Sequence, residues 1–366
     1  MSIYKLPTER EHPAAAAANL NVTLQEDMYN LGDAIVRARA AQGCDFDLRQ
    51  LPVHRRLRWS VRRKLADFFD DLALDPAFVA HRAREGVVLL SAPGVFVRAQ
   101  GHSKGSYASC WFSLWTESRA RADEVIARLD AIAADARMND ETFTLDWQFT
   151  NSGGELRSAS FQELADPRLL DEAYPSLGLP VQEFVRRYLD APECVLILLG
   201  PPGTGKTRLV RAILSEISRR KGENAEVMYT ADKRALRSDE IFVDFITGSH
   251  DAFVIEDTDH LLRARTSGNE DMHRFLAIAD GVARSQGRKI IFTTNLPNVT
   301  DIDDALIRPG RCFAVQNLRS LTLDEALRLA AQICGSDDAR AARAAEVLGA
   351  LNARSYPVAQ VYRACA

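Results

Sequence analysis

No stretch of this sequence stays apolar long enough to cross a bilayer. The longest such run, Cys194–Leu199, is the length of a strand, whereas a spanning helix needs roughly 20 residues. The N-terminus lacks a basic segment followed by an apolar one, so no secretory leader is expected. Cysteine is sparse and scattered: Cys44, Cys110, Cys194, Cys312, Cys334 and Cys365 form no CxxC pair. That pattern argues for reduced thiols in a cytoplasmic protein, and against a disulfide framework or a zinc site. Neither charge dominates, since Lys+Arg 46 against Asp+Glu 50 gives a formal net charge of −4. That mild acidity gives no support to attraction of the whole chain to nucleic acid or an anionic membrane, and leaves a local patch open. Low-complexity tracts and solenoid repeats are also missing. What is present is 46% hydrophobic and 26% charged, an ordinary globular balance that excludes wholesale disorder. At 366 residues the chain has room for about two to three domains.

Residues 1–20, with Pro7, Pro13 and the alanine run 14–18, read as a mobile arm. Helical spacing follows from about Leu24 to Gly43. A second apolar stripe, Leu57, Val61, Leu65, Phe68 and Leu72, has helical spacing too. It carries a polar face rich in Arg49, Arg55, Arg56, Arg58, Arg62, Arg63 and Lys64. Short β-type runs come next, at Val87–Leu90, Val95–Arg98 and Tyr107–Trp115, followed by a helix around Val125–Ile132. Trp111 and Trp115, at even spacing, read as one buried sheet face. A strand at Thr142–Thr150 and a returning partner at Leu156–Phe161 complete a small α+β N-terminal domain, residues 21–168. His81 and His102 stand isolated in it and read as structural or solvated.

Beyond residue 169 the pattern becomes short apolar strands alternating with amphipathic helices. The strands are Val195–Leu199, Glu226–Tyr229, Ala252–Ile255, Lys289–Thr293 and Phe313–Val315. This alternation predicts a parallel α/β sheet with crossover helices over residues 169–318. No strand is expected after Thr322, so residues 319–366 read as a helical lid.

The sharpest signal is Gly200–Thr207, a complete GxxxxGK[ST] loop between an apolar strand and a helix. Glycines allow the backbone to wrap around phosphates at a helix N-terminus. The lysine then supplies a point charge, and the Thr hydroxyl a Mg²⁺ ligand. The candidate nucleotide contacts are Pro202, Gly203, Thr204, Gly205, Lys206, Thr207 and Arg208. Ala252–Ile255 ends in Glu256 and Asp257; one such acid can serve Mg²⁺ while its neighbour orients or deprotonates water. Thr207 and Glu256 are the candidate metal ligands, and Asp257 the candidate base. A third apolar strand ends at Asn295, placed to hold the attacking water. Arg308 and Arg311 lie on a constrained Arg-Pro-Gly-Arg turn; a surface ion pair is the alternative reading.

In order and spacing these motifs resemble the AAA+ ATPases, and within them the AAA clade. That family carries GPPGTGK[ST], an apolar strand ending Asp-Glu, a strand ending Thr-Asn, a DxALxRPGR segment and a helical lid. The likeness runs from about Glu172 to the C-terminus. It implies a P-loop fold and Mg²⁺-dependent ATP hydrolysis in a homo-oligomeric ring, usually a hexamer, that acts on a protein substrate. It also implies that Arg308 and Arg311 are arginine fingers reaching a neighbour's nucleotide, and that Asn295 is the first sensor. Asp280-Gly281-Val282 is similar to the family's turn before that sensor. Arg354 falls where some relatives carry a second sensor.

Two departures stand out. The acidic pair is inverted to Glu256-Asp257, an order similar to that of the mitochondrial AAA translocase that helps assemble respiratory complex III. The turn after the second strand, Asp232–Asp239, has no aromatic pore residue; Lys233, Arg234 and Arg237 make either a basic pore or a solvated helix start. The whole-length arrangement is similar to that of uncharacterised bacterial and phage AAA proteins, which puts the expected site in a bacterial cytoplasm, or a host's. Two other functions stay open: a nucleic-acid-associated ATPase using the basic N-domain helix, with Trp59 nearby, and an ATP-gated scaffold with little turnover.

Overall fold

The computed structural model describes residues 51–84, 86–138, 142–165, 169–263 and 287–366. The N-terminal arm, the expected helix before Gly43, Arg49 and the Asp280–Val282 turn lie outside the described residues. The chain divides into two units, Met1–Met138 and Asn139–Ala366.

The first unit is built on a six-stranded sheet in the order β2-β3-β4-β5-β1-β6. The strands are β1 (Val53–Val61), β2 (Val79–Arg84), β3 (Val87–Ala92), β4 (Val95–Lys104), β5 (Tyr107–Thr116) and β6 (Arg137–Met138). Its helices are α1 (Leu65–Leu74) and α2 (Arg119–Ala133). Trp59, Val61, Val97, Cys110, Phe112 and Leu114 pack with Phe68, Phe69 and Leu72 of α1 and Val125 and Leu129 of α2. The basic helix expected from the Leu57–Leu72 stripe does not exist in that form, because Val53–Val61 is strand and the helix starts only at Leu65. A spacing of four fits a strand's period of two as well as a helical turn. The partner decides: β1 pairs along its whole length with β5, from Val53↔Thr116 to Val61↔Ala108. The buried face of β5 is also the opposite one from that expected. Cys110, Phe112 and Leu114 are buried, and Trp111 and Trp115 alternate with them as half-buried residues.

The second unit holds a seven-stranded sheet in the order β13-β9-β12-β11-β10-β7-β8. Five strands run parallel where the sequence places them: β9 (Val195–Leu199), β10 (Ala225–Thr230), β11 (Ala252–Ile255), β12 (Lys289–Thr294) and β13 (Cys312–Asn317). Both faces are covered, one by a core shared with α3 (Val181–Asp190) and α4 (Lys206–Lys221), the other by α5 (Asp239–Thr247). This is why the strands are apolar throughout and not alternating. The short α6 (Asp259–Leu262) follows β11. The lid consists of α7 (Leu323–Cys334), α8 (Asp338–Ala350) and α9 (Val358–Ala364).

The hairpin of β7 (Thr142–Thr150) and β8 (Leu156–Leu164) has the expected strands but a different partner. β7 pairs in parallel with β10, from Ala225↔Phe143 to Tyr229↔Trp147, so the hairpin extends the second sheet. Phe143 enters the core beside α4. The Thr230 hydroxyl donates to the Gln148 carbonyl at 2.8 Å, and the Thr150 N–H donates to Asp232 Oδ2 at 2.7 Å. Strand periodicity says which face is apolar and nothing about which distant strand supplies the hydrogen bonds.

Candidate functional site: a phosphate loop and three strand ends

β9 is buried at every residue and ends at the 200–205 loop, from which α4 departs at Lys206. Two glycines fix this turn. Gly200 has φ +152°, and a side chain there would overlap the Leu318 carbonyl oxygen. Gly205 has φ +93°, and a Cβ would sit 2.7 Å from the Tyr174 hydroxyl, which itself donates to the Gly205 carbonyl at 3.1 Å. No side chain caps the start of α4. Its first N–H groups are therefore available to an anion, with the helix dipole behind them.

Lys206 is 9% exposed. Its ammonium donates to the Gly200 carbonyl at 2.6 Å, the Pro201 carbonyl at 3.2 Å and Asn295 Oδ1 at 2.8 Å. Burial lowers its pKa, opposed by the charges of Asp257, Asp259 and Glu256. Asn295 terminates β12, the strand between β9 and β11. Its amide bridges both sides, accepting from Lys206 and donating through Nδ2 to Asp257 Oδ1 at 3.1 Å. Glu256 and Asp257 continue β11. Glu256 Oε1 accepts from the Thr207 hydroxyl at 2.8 Å and Oε2 from the Tyr229 hydroxyl at 3.0 Å. Asp257 is exposed, and at φ +52° it adopts a left-handed conformation uncommon for a non-glycine residue. Its N–H donates to Thr293 Oγ1 at 3.2 Å. The order β9-β12-β11 thus brings the loop, the amide and both acids to one end of the sheet.

Three further residues hold this arrangement, and the sequence reading did not find them. Asp259 Oδ1 accepts from the Thr294 hydroxyl at 2.6 Å and the Asn295 N–H at 2.8 Å, which fixes the backbone at Asn295. Burial raises its pKa, but those two bonds together with the charges of Arg263 and Lys206 outweigh burial and leave the carboxyl below its ordinary range. Its one sequence signal is a third acid two residues past Asp257. Tyr229, on β10, and Tyr174 carry no such signal.

The remaining candidates are dispersed. Thr204 is buried, with its hydroxyl on the Pro201 carbonyl at 2.9 Å, and Pro202 is exposed. The Arg208 guanidinium lies 4.7 Å over the ring of Tyr362 on α9, and the Ala359 N–H donates to the Gly203 carbonyl at 3.0 Å, so the lid touches the loop. Arg354 is exposed, as are Lys233, Arg234 and Arg237 on the turn after β10. Arg308 and Arg311 do not join the site of their own chain. They precede β13, whose Cys312 is level with Val195 at the start of β9. The five residues of β9 therefore separate them from the loop, about 16 Å along the strand. Arg311 Nη1 donates to the Ala305 carbonyl at 2.7 Å, and Arg308 is exposed.

Residues 196–320 match the family described as ATPase family associated with various cellular activities (AAA). Among characterised proteins, an ATP-dependent zinc metalloprotease, a YME1 homolog of Caenorhabditis elegans, is 33% identical over 167 residues, covering 40% of this chain and 22% of that protein. The proteasome-activating nucleotidase of Thermococcus onnurineus is 31% identical over 39% of this chain and 38% of its own length. The ATP-dependent zinc metalloprotease FtsH 3 of Sorangium cellulosum is 30% identical over 56% of this chain and 32% of its own. The matches cover less than two fifths of each of these three relatives.

Proposed function

We propose that the AAA ATPase domain this chain carries hydrolyses ATP with Mg²⁺ in a ring of identical subunits, usually six in this family, and uses the cycle to remodel a protein partner. The observation that carries the reading is the double engagement of Asn295. One amide links the loop lysine to Asp257, while Glu256 holds the Thr207 hydroxyl next door.

The donor set fits the cofactors. Glycine positions that no side chain can occupy, an uncapped helix start and a buried ammonium suit a polyphosphate. Thr207 Oγ1 and Glu256 Oε1, 2.8 Å apart, are hard oxygen donors of the kind Mg²⁺ takes alongside phosphate oxygens. When bound, the cation neutralises charge developing on the phosphates. The chain's residues do the rest. Lys206 leaves the loop carbonyls for the phosphates. Asn295, released from Lys206, keeps its donor side on Asp257, and the two orient one water. Asp257, exposed and one methylene shorter than Glu256, accepts the proton. Arg308 and Arg311, remote from their own loop, stabilise the charge formed in a neighbour's site.

The test is steady-state ATP turnover of the wild type beside Asp257→Asn. General-base loss predicts a fall of about 10²–10⁴-fold with nucleotide binding retained. No turnover in the wild type under any Mg²⁺ concentration sinks the reading and leaves a nucleotide-gated scaffold. Of the basic residues of the nucleic-acid alternative, Arg55, Arg56 and Arg58 lie on strand β1 and not on a helix, with Arg55 and Arg56 exposed.

A further inference from the structure

Glu256 meets the Thr207 hydroxyl through a side chain of three rotatable bonds, and fixing them costs rotamer entropy. Something must hold that side chain in place. The Thr207 hydroxyl does so at 2.8 Å, but in the loaded site that hydroxyl turns to the cation.

The second holder is Tyr229. On parallel neighbours, Tyr229 is level with Val254, and Thr230 with Ile255. Tyr229, Val254 and Glu256 therefore project from the same sheet face. The Tyr229 ring lies against the apolar core beside α4, and its hydroxyl reaches Glu256 Oε2 at 3.0 Å, on the oxygen that Thr207 does not use. In this bond the phenol O–H donates and the Glu256 carboxyl oxygen accepts.

We propose that Tyr229 is a positioning residue for the metal-side carboxylate: its hydroxyl anchors the distal oxygen of Glu256 so that the other oxygen stays aimed at the cation when Thr207 lets go. The inference rests on the assignment of Thr207 and Glu256 as cation donors. It explains how an inverted acidic pair works here, since the extra methylene carries the carboxylate within reach of a hydroxyl on the next strand.

The experiment measures Mn²⁺ affinity by electron paramagnetic resonance in the full chain with a non-hydrolysable ATP analogue, and analogue affinity in EDTA. Tyr229→Phe keeps the ring and removes one hydrogen bond to a charged acceptor. Mn²⁺ affinity should fall about tenfold, with analogue affinity in EDTA unchanged. In a Glu256→Asp background the shorter carboxylate no longer meets Tyr229, so adding Tyr229→Phe should change Mn²⁺ affinity less than twofold. Equal losses in both backgrounds, or no loss in the first, overturn the proposal while leaving the ATPase reading intact. Failure of the wild type to bind analogue or Mn²⁺ at all overturns both.

Discussion

Lys206 pays for its position before any ligand arrives. Its ammonium is withdrawn from water and satisfied by two loop carbonyls and one amide oxygen. A phosphate would replace neutral acceptors with charged ones, turning charge–dipole bonds into ion pairs. Lys206→Ala should therefore leave the apo protein at least as stable as the wild type. It should also remove the melting-temperature rise that saturating ATP gives, which corresponds to about 2.7 kcal/mol at a hundred times Kd. Thermal denaturation with and without ATP reads both effects. Gly205→Ala is the complementary case, with φ +93° and the Tyr174 hydroxyl in the way. It should destabilise the apo fold by about 1–3 kcal/mol and weaken nucleotide binding, measured by denaturant unfolding and by titration. A variant as stable and as tight as the wild type would contradict the packing described for the loop.

At the scale of elements, the lid's first helix is held by a cap with a pH signature. The Thr322 hydroxyl accepts from the Glu325 N–H at 3.3 Å, the Glu325 carboxylate accepts from the Thr322 N–H at 2.8 Å, and Arg319 donates to both carboxylate oxygens at 2.7 Å. The Arg319 bond, aided by the Thr322 N–H and opposed by burial, brings the Glu325 pKa down to about 2. A depressed carboxyl stabilises the fold above its unfolded pKa, and that contribution is lost as pH falls from about 4.5 towards 2. Glu325→Gln should cost about 1 kcal/mol at pH 7 and flatten the loss of stability between pH 5 and pH 3. Melting curves of both proteins across that range decide it. The β7–β8 hairpin teaches a different lesson. Both its strands were legible from alternation, but their partner was not, because pairing with β10 depends on Phe143 meeting α4 and on Thr150 and Gln148 meeting Asp232 and Thr230. The basic stretch Arg55–Lys64 misled for a related reason, since spacing of four serves strand and helix alike until β5 pairs with it.

At the scale of the molecule, the decisive fact is the separation of Arg308 and Arg311 from the loop of their own chain by the length of β9. If a neighbour's site is their target, two defective subunits should repair each other. Asp257→Asn and the double variant Arg308→Ala/Arg311→Ala should each be nearly inactive, yet a mixture should recover measurable turnover. In the mixture, intact arginines of the first can face an intact cradle of the second. Specific activity should also rise with protein concentration. A mixture no more active than its parts, at a rate independent of concentration, would place the arginines outside the reaction.

The sequence by itself determined what local chemistry determines. The glycines and Lys206–Thr207 announce a phosphate loop, and four-to-six-residue apolar runs announce buried parallel strands. Acids or an amide after such runs announce a site, because strand C-termini are where such a sheet presents side chains. Only tertiary structure decided which strands are neighbours. That choice lets Asn295 touch Lys206 and Asp257 together, sets Asp259 behind Asn295, brings the Tyr229 hydroxyl across to Glu256, and moves the Thr142–Leu164 hairpin into the second sheet. The physical reason is the range of the interactions. Turn geometry and burial preference act within a few residues, whereas hydrogen bonds between strands join positions tens of residues apart and leave no periodicity in the chain that makes them.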